Sequence, residues 1–555
     1  MSRGSLADKA LWNSVAWLST VLSGVVTAAL IYRRAGDAEF GVWATVLAFR
    51  AILVMLDGGL ALGVSRDTAL LGSDAPDAWG RIRGAWRVYA GLAALALVLG
   101  VAAAGLPGHV LGATGEVADV AAAVTMVTAA EAAVALATAP LAGMLRGRQR
   151  FGALAIGSGC QAVLGIALVS VLLPAHGLVG AAWALLAARI AAQAGTFWWM
   201  RTRGLLDRPA AAEDATPQMR AVAAFALPLW ITALGAFCAH VVDVPLVGAL
   251  FGEVAAGHCA LGDRLAGACA GLLFAVLGAA FPRFVTARPG NRQEHGAAVL
   301  FLGCTLAAAG FGLLISCGPA LLRLWVGDAP VLAVEVLAIY ALVWTVNTPA
   351  HVLSSMAIAA GRHRVLNYVV LGTVPLNVGL SVLLALRGMA NGPALASLVS
   401  IVVGNWIVCP LLLLPRIGMT FREWLRPTLC GYGAGAAVAL VTAGVVLLVP
   451  SDPLAVVATG VGATLLLAAS VLDLNVRNRS SLRRAWRRTV RSGWPVLWRQ
   501  AQQCRRVRQS LGRDADDGLW NPAAPPLVTV RIATYNRGRL VAERALASAE
   551  RRPRL

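Results

Sequence analysis

With 555 residues, 58% of them hydrophobic and only 13% charged, and a mean hydropathy of +0.72, the chain carries more apolar surface than a soluble core needs, which excludes an ordinary soluble enzyme or binding module. The net charge of +20 lies in short loops between apolar runs and in one tail, so it reads as membrane topology, and no nucleic-acid partner is expected. Lys9 is the only lysine, so almost all of this positive charge is arginine.

Apolar runs lie near 11–32, 42–64, 85–105, 118–141, 152–173, 177–200, 221–250, 254–282, 297–318, 331–358, 365–386, 393–414, 427–449 and 454–474. A bilayer takes about 20 mostly apolar residues per helix. The expectation is therefore an all-α integral membrane protein of about 14 transmembrane helices. The first run is too long for a signal-peptide core and no A-x-A-like site follows it, so it should be retained as a membrane helix. With the N-terminus inside, the inner loops hold 18 arginines and the outer loops 4. That bias predicts a multi-pass protein of the cytoplasmic membrane with both termini cytoplasmic. Trp12, Trp43, Trp198, Trp199, Trp325 and Trp424 fall near run ends, where an interfacial belt would put them.

Three landmarks recur. Gly36-Asp37-x-x-x-Gly41 returns as Gly252-Glu253-x-x-x-Gly257, Gly147-Arg148-Gln149-Arg150 as Gly361-Arg362-His363-Arg364, and Gly180-x-Ala182-x-Ala184 as Gly392-x-Ala394-x-Ala396, at shifts of 216, 214 and 212. They predict two pseudo-symmetric six-helix bundles, 1–200 and 221–426, joined by a polar cytoplasmic linker, 201–220. Six is even, so the bundles share one orientation, with a substrate path between them. Residues 427–474 form an extra helix pair outside the repeat.

Charges inside apolar runs are costly in hydrocarbon and are functional candidates by default. Arg50 and Asp57 lie two helical turns apart on roughly one face of the second run. Shifted by 214 residues, Arg50 falls on Arg264, and Arg189 lies mid-run in the sixth segment. Arginine's permanent charge and forked donors suit phosphate, so Arg50, Arg264 and Arg189 are candidate cavity residues for an anionic substrate. The opposing account has each arginine paired with an acid, with Asp57 and Asp263 as the named partners. Asp57, Glu131, Asp243 and Asp263 are candidate counter-ions or proton or sodium coupling sites. Asp263 and Arg264 are adjacent and cannot face each other on one helix. Gly58-Gly59 beside Asp57 permits either local unwinding or close helix packing. No C-x-x-C pair or H-E-x-x-H spacing occurs, so neither metal, cofactor, disulfide framework nor catalytic residue is expected.

Residues 475–526 form a basic tail and Pro-containing linker. Twelve arginines and no acid lie between 475 and 513, around Leu482, Trp486 and Val490 at a spacing of four. The pattern reads as an interfacial helix on anionic membrane lipid.

The order Arg33-x-x-Gly-Asp-Ala-Glu-Phe-Gly41, Leu56-Asp-Gly-Gly-Leu60, Phe225-Ala-Leu-Pro-Leu229 and Ala360-Gly-Arg-His-Arg364 resembles the polysaccharide transporters of the multidrug/oligosaccharidyl-lipid/polysaccharide exporter superfamily, over about residues 8–420. The resemblance implies two six-helix bundles rocking about a central cavity to flip an undecaprenyl-pyrophosphate-linked oligosaccharide to the outer face, with polysaccharide-assembly proteins as partners. A lipid II flippase and a multidrug antiporter are the alternatives within that superfamily. From another class, a polysaccharide polymerase or ligase would need a large outer loop, and the longest here is about a dozen residues. Residues 527–555, Leu-Val-Thr-Val-Arg-Ile-Ala-Thr-Tyr-Asn-Arg-Gly and a following amphipathic stretch, resemble the first strand, turn and helix of a family two glycosyltransferase, with Ala533 where proline is usual. There the turn at Thr534, Tyr535 and Asn536 would lie against the nucleotide of a sugar donor. One strand and one helix cannot build an active site, so the expectation is a transporter without enzymatic activity, or a flippase fused to a transferase cut short here.

Overall fold

The computed structural model describes residues 6–69, 77–206, 219–220, 222, 230, 241–278, 284, 289–360, 362, 365–449 and 452–478. Their regular elements are all helical: α1 (Leu6–Val54), α2 (Leu60–Ala69), α3 (Asp77–Ala102), α4 (Leu106–Val110), α5 (Glu116–Gly147), α6 (Phe151–Thr202), α7 (Asp243–Gly278), α8 (Pro289–Val326), α9 (Val331–Ala359), α10 (Val365–Leu386), α11 (Gly392–Val402), α12 (Cys409–Ile417), α13 (Phe421–Leu447) and α14 (Pro453–Asn478). A 3-10 turn, Met55–Asp57, and a π-helical turn, Val403–Val408, interrupt the series. Continuous helix is what an apolar chain must adopt in lipid, because every backbone N–H and C=O has to be satisfied within the segment.

Twelve helices among the described residues are long and apolar enough to cross a membrane. The 52-residue α6 bends at His176 and Gly177, so it holds the fifth and sixth expected runs in one element. Most of the seventh run, 221–250, and the whole of 479–555 lie outside the described residues. The basic tail and the glycosyltransferase-like segment with Thr534, Tyr535 and Asn536 are therefore not described.

Glycine punctuates the helices where the sequence repeats. Gly36 (φ 86°, ψ −178°) and Gly252 (φ 86°, ψ 176°) break α1 and α7 with the same backbone conformation, one that side chains with a Cβ rarely adopt. Beyond each break the chains of the two motifs touch. A methyl group on Gly41 would stand 1.7 Å from the Glu253 carbonyl oxygen, and one on Gly257 would stand 3.0 Å from that of Asp37. Gly180 lies against Leu172 as Gly392 lies against Leu384, again 212 residues apart. The turn after α5 is closed by Arg150 N–H donating to Leu145 O, and the turn after α9 by Arg362 N–H donating to Ala357 O, each at 2.8 Å. This geometry sets the register of that turn at 212, not the 214 read from the Gly-Arg letters.

Side-chain packing divides along the same lines. One cluster draws on both halves around the paired motifs, with Phe40, Trp43, Val247 and Leu261 in it. The other two are built from separate stretches, one around Ile82, Tyr89, Leu136 and Met144, the other around Phe284, Leu353, Leu413 and Trp424. The halves therefore share a core on the motif face and keep separate cores away from it. Trp43 and Trp424 are buried within these clusters, which corrects the belt expected from their positions near run ends; Trp12 and Trp198 are exposed. The extra pair is also less peripheral than its place outside the repeat implies. Gly431 and Gly435 of α13 sit on the Phe301 and Thr305 carbonyls of α8, the close approach that small residues allow between membrane helices. A glycine in the left-handed conformation, Gly418, ends α12, and a capping box of Thr420 with Glu423 starts α13 six residues before the apolar run begins.

Alanine at Gly41 has no room to stand, and overpacking of this kind costs about 1–3 kcal/mol. The Gly41→Ala protein is expected to melt at a lower Tm than the parent, whereas Gly91→Ala, with nothing within 4 Å, does not lower it; thermal unfolding of the purified protein checks both.

Candidate functional site: a cationic cavity between the halves

Beneath the paired motifs lies a cavity of about 550 Å³ with walls from α1, α5, α6 and α7. Arg50 is nine residues past Gly41 and Arg264 seven past Gly257, which at 1.5 Å per residue puts them about 14 and 10 Å below the contact. Arg50, Arg189 and Arg264 all line this cavity, together with Glu131, Gln161 and Trp17. At its other end the Trp17 ring packs on Gly271, where a Cβ would lie 2.1 Å from the indole. The structure therefore brings all three candidate arginines to one space.

The partner of Arg50 is Glu131, not Asp57. Arg50 Nε donates to Glu131 Oε2 and Arg189 Nε donates to Glu131 Oε1. One carboxylate thus bridges two guanidiniums from two other helices. The Glu131 side chain is 6% exposed, against 24% for Arg50 and 19% for Arg189. Charge-assisted bonds of this kind are among the strongest a protein makes, and they let a buried carboxylate stay ionised. Arg264 forms no hydrogen bond with a described residue; the carboxylate of the adjacent Asp263 acts on its charge electrostatically, and the guanidinium lines the cavity. The breaks at Gly36 and Gly252 set the register of these helices at 216, which aligns Arg50 with Ala266 and Arg264 with Ala48. The two arginines are not equivalent under the repeat; they reach the same space from different positions on their helices.

Of the other acids, Asp57 stands apart, while Asp263 is near enough to Asp243 and Tyr340 to act on them electrostatically. Asp57 ends the 3-10 turn before Gly58 (φ 51°) and Gly59 (φ 80°), so the glycine pair does unwind the helix. Tyr89 OH donates to Asp57 Oδ1 and Gly59 N–H to Oδ2 at 3.1 Å, while Trp230 Nε1 donates at 3.2 Å to the Met55 carbonyl, which also accepts from Gly58 N–H at 3.1 Å. Asp263 has no hydrogen bond or ion pair with a described residue. Asp243 is fully buried at the first residue of α7. It accepts from Tyr340 OH at 2.5 Å and Ser397 Oγ at 3.2 Å, and Asn377 Nδ2 donates to Ser397 Oγ and Ser400 Oγ at 2.9 and 3.0 Å. Two further oxygens of this cluster, Asp243 Oδ1 and Asn377 Oδ1, are buried without a hydrogen-bond partner among the described residues, and the Ser381 hydroxyl is buried close to Asp243. Sequence reasoning missed Tyr340, Asn377, Ser381 and Ser397; the only available signal was a polar residue at a 3–4 spacing inside an apolar run.

On the motif face, Arg33 Nε and Nη2 donate to the Trp325 and Leu324 carbonyls at 3.0 and 2.6 Å, satisfying free carbonyls at the end of α8. Trp325 Nε1 returns a bond to Val25 O at 2.9 Å, and His258 Nε2 lies 3.2 Å from Asp37 Oδ2. The two halves are thus tied by polar bonds as well as by the glycine contact.

The family of polysaccharide biosynthesis proteins matches residues 6–287. The chain belongs to this family. Among solved structures it is similar to a lipid II flippase MurJ in an inward closed conformation, at 13% identity and a TM-score of 0.68, covering 84% of this chain and 99% of that one. It is also similar to a multidrug resistance MATE family transporter of the MOP superfamily in an inward-facing conformation, at 18% identity and a TM-score of 0.54, covering 74% and 98%. A MOP superfamily transporter from Pyrococcus furiosus, described as having a binding pocket of reversed polarity, matches at 17% identity and a TM-score of 0.52, covering 74% and 95%. No curated protein matches. The fold is that of MurJ and MATE transporters, with twelve described helices long and apolar enough to cross a membrane.

Tyr340→Phe removes a donor to a buried carboxylate, a bond worth about 1.5–3 kcal/mol when one partner is charged. The variant is expected to show a Tm several degrees below the parent, measured by thermal unfolding in detergent.

Proposed function

We propose that this polysaccharide biosynthesis family member is a flippase that moves an undecaprenyl-pyrophosphate-linked oligosaccharide from the cytoplasmic to the outer leaflet by alternating access. The observation that carries the reading is the convergence of Arg50, Arg189 and Arg264, from both halves, on one cavity that holds a single carboxylate among its described lining residues. A net cationic space enclosed by apolar helices suits the one group all such lipids share, the pyrophosphate, whatever the glycan. It does not suit a cationic drug, which speaks against multidrug export. A lipid II flippase is the second reading, favoured by the likeness to MurJ; it uses the same pyrophosphate chemistry.

The arginine bias of the loops makes the motif face the outer one. In that orientation the halves are closed outside and hold separate cores inside, the arrangement of a carrier ready to take substrate from the cytoplasm. Rocking would open the glycine contact and the Arg33 bonds while the cavity stays in place. The basic segment 475–513 would rest on anionic lipid at the cytoplasmic surface, beside the polysaccharide-assembly proteins that supply the substrate.

Among the acids, Asp243 is our choice for the coupling site. Glu131 and Asp57 have their oxygens engaged, whereas Asp243 sits among buried oxygens without partners, a setting suited to taking up a proton or a sodium ion.

Translocation of a fluorescent lipid-linked oligosaccharide in reconstituted vesicles tests the binding role. Arg264→Ala is expected to lose at least about tenfold in rate, the effect of about 1.4 kcal/mol, and Arg264→Lys to recover part of it by restoring charge without the fork. If Arg50 and Glu131 were only a structural pair, the double change Arg50→Gln with Glu131→Gln would restore transport, and such rescue would defeat the proposal. For coupling, Asp243→Asn is expected to abolish gradient-driven accumulation while binding of the lipid at equilibrium persists; accumulation equal to the parent's would remove Asp243 from the role.

A further inference from the structure

The Glu131 bridge has a stoichiometry that bears on which diphosphate the cavity accepts. Only Nε of Arg50 and only Nε of Arg189 bond to Glu131. The four terminal guanidinium nitrogens of the two side chains make no hydrogen bond with a described residue, and all three groups line the cavity. The carboxylate therefore holds the two arginines side by side against their mutual repulsion and leaves their outer donors for a ligand. Arg264 stands in the same cavity without a hydrogen bond to a described residue, its charge offset in part by the adjacent Asp263. The lining side chains, three guanidiniums and one carboxylate, sum to a charge of +2, and Asp263 behind Arg264 adds a further negative charge to the field.

A diphosphate esterified at both ends, to a polyprenol on one side and a sugar on the other, has one ionised oxygen on each phosphorus and a charge of −2. The same carrier without its sugar is a monoester and carries an additional ionisable oxygen on its terminal phosphate, so it approaches −3 above neutral pH. We infer that Glu131 is a specificity-determining counter-charge, which tunes the cavity to the doubly esterified, sugar-bearing diphosphate and disfavours the more highly charged sugar-free carrier. The inference rests on the reading of the cavity as a pyrophosphate site. Glu131 acts by adding a fixed negative charge where an extra phosphate charge would have to sit, and in a partly desolvated site unit charges a few ångströms apart interact by several-fold more than in water. It also limits how tightly the loaded substrate is held, so that the substrate can leave on the opposite face. Without it the cavity would gain one unit of net positive charge and would retain anions.

Equilibrium binding to the full chain in lipid nanodiscs at pH 8 tests this, with farnesyl diphosphate as the monoester probe and farnesyl-diphosphate-linked N-acetylglucosamine as the diester probe. The parent is expected to prefer the diester. Glu131→Gln keeps the shape and removes the charge; it is expected to bind the monoester on the order of tenfold more tightly, to gain less for the diester, and so to lose the preference. Glu131→Asp keeps the charge and should keep the parent's order of affinities. In vesicle translocation of the diester, Glu131→Gln should lower KM and kcat together, since release becomes slow. A purely structural Glu131 predicts that Glu131→Gln weakens both probes alike or leaves the preference unchanged, and either result overturns the inference. Failure of the underlying reading looks different: the parent would then bind neither probe in a manner sensitive to Arg264→Ala.

Discussion

At Gly41 the backbone of one half lies directly on the Glu253 carbonyl of the other, and no side chain larger than hydrogen fits between them. The rest of the architecture depends on this approach. It lets two broken helices, α1 and α7, meet at equivalent points, and it draws the hydrophobic cluster of the two halves together on that face. Away from that face the halves keep separate cores, and the space left under the contact is the cavity.

Below that contact electrostatics takes over. Four charged side chains line one small space, and in hydrocarbon each would be expensive alone. Glu131 resolves two of them by bridging Arg50 and Arg189, so that most of the cost of burial is offset inside the first half. Arg264 is contributed by the second half, where Asp263 acts on its charge but no described side chain hydrogen-bonds it. The cavity consequently has a bridged ion-pair triad on one wall and an arginine with no hydrogen-bond partner among the described residues on the other.

The halves repeat in backbone far more faithfully than in side chains. The glycine breaks, the Leu172 and Leu384 contacts and the turns after α5 and α9 all recur. Chemistry does not follow. The first half carries the ionic bridge, while the second carries the neutral network of Tyr340, Asn377, Ser397 and Ser400 around Asp243. Duplicated backbone geometry thus carries diverged interiors, ionic in the first half and hydrogen-bonded around a carboxyl in the second.

The sequence by itself determined the membrane class, the succession of apolar helices, the repeated glycine motif and the identity of the cavity arginines. These are properties of composition and period: apolar runs of bilayer length must be helical, and charges within them stand out against a uniform background. Only the tertiary structure decided that Arg50 pairs with Glu131 and not with Asp57, that Arg189 shares the same carboxylate, and that Trp43 and Trp424 belong to cores. It likewise shifted the register of the arginines from 214 to 216, and it assembled Asp243 with Tyr340, Asn377 and Ser397 from four separate helices. Ion pairing between helices depends on the rotation and depth of each helix against its neighbours. Those are set by close contacts such as Gly41 on Glu253 and Gly271 on Trp17, between residues some 210 to 250 positions apart in the chain, and no local pattern encodes them.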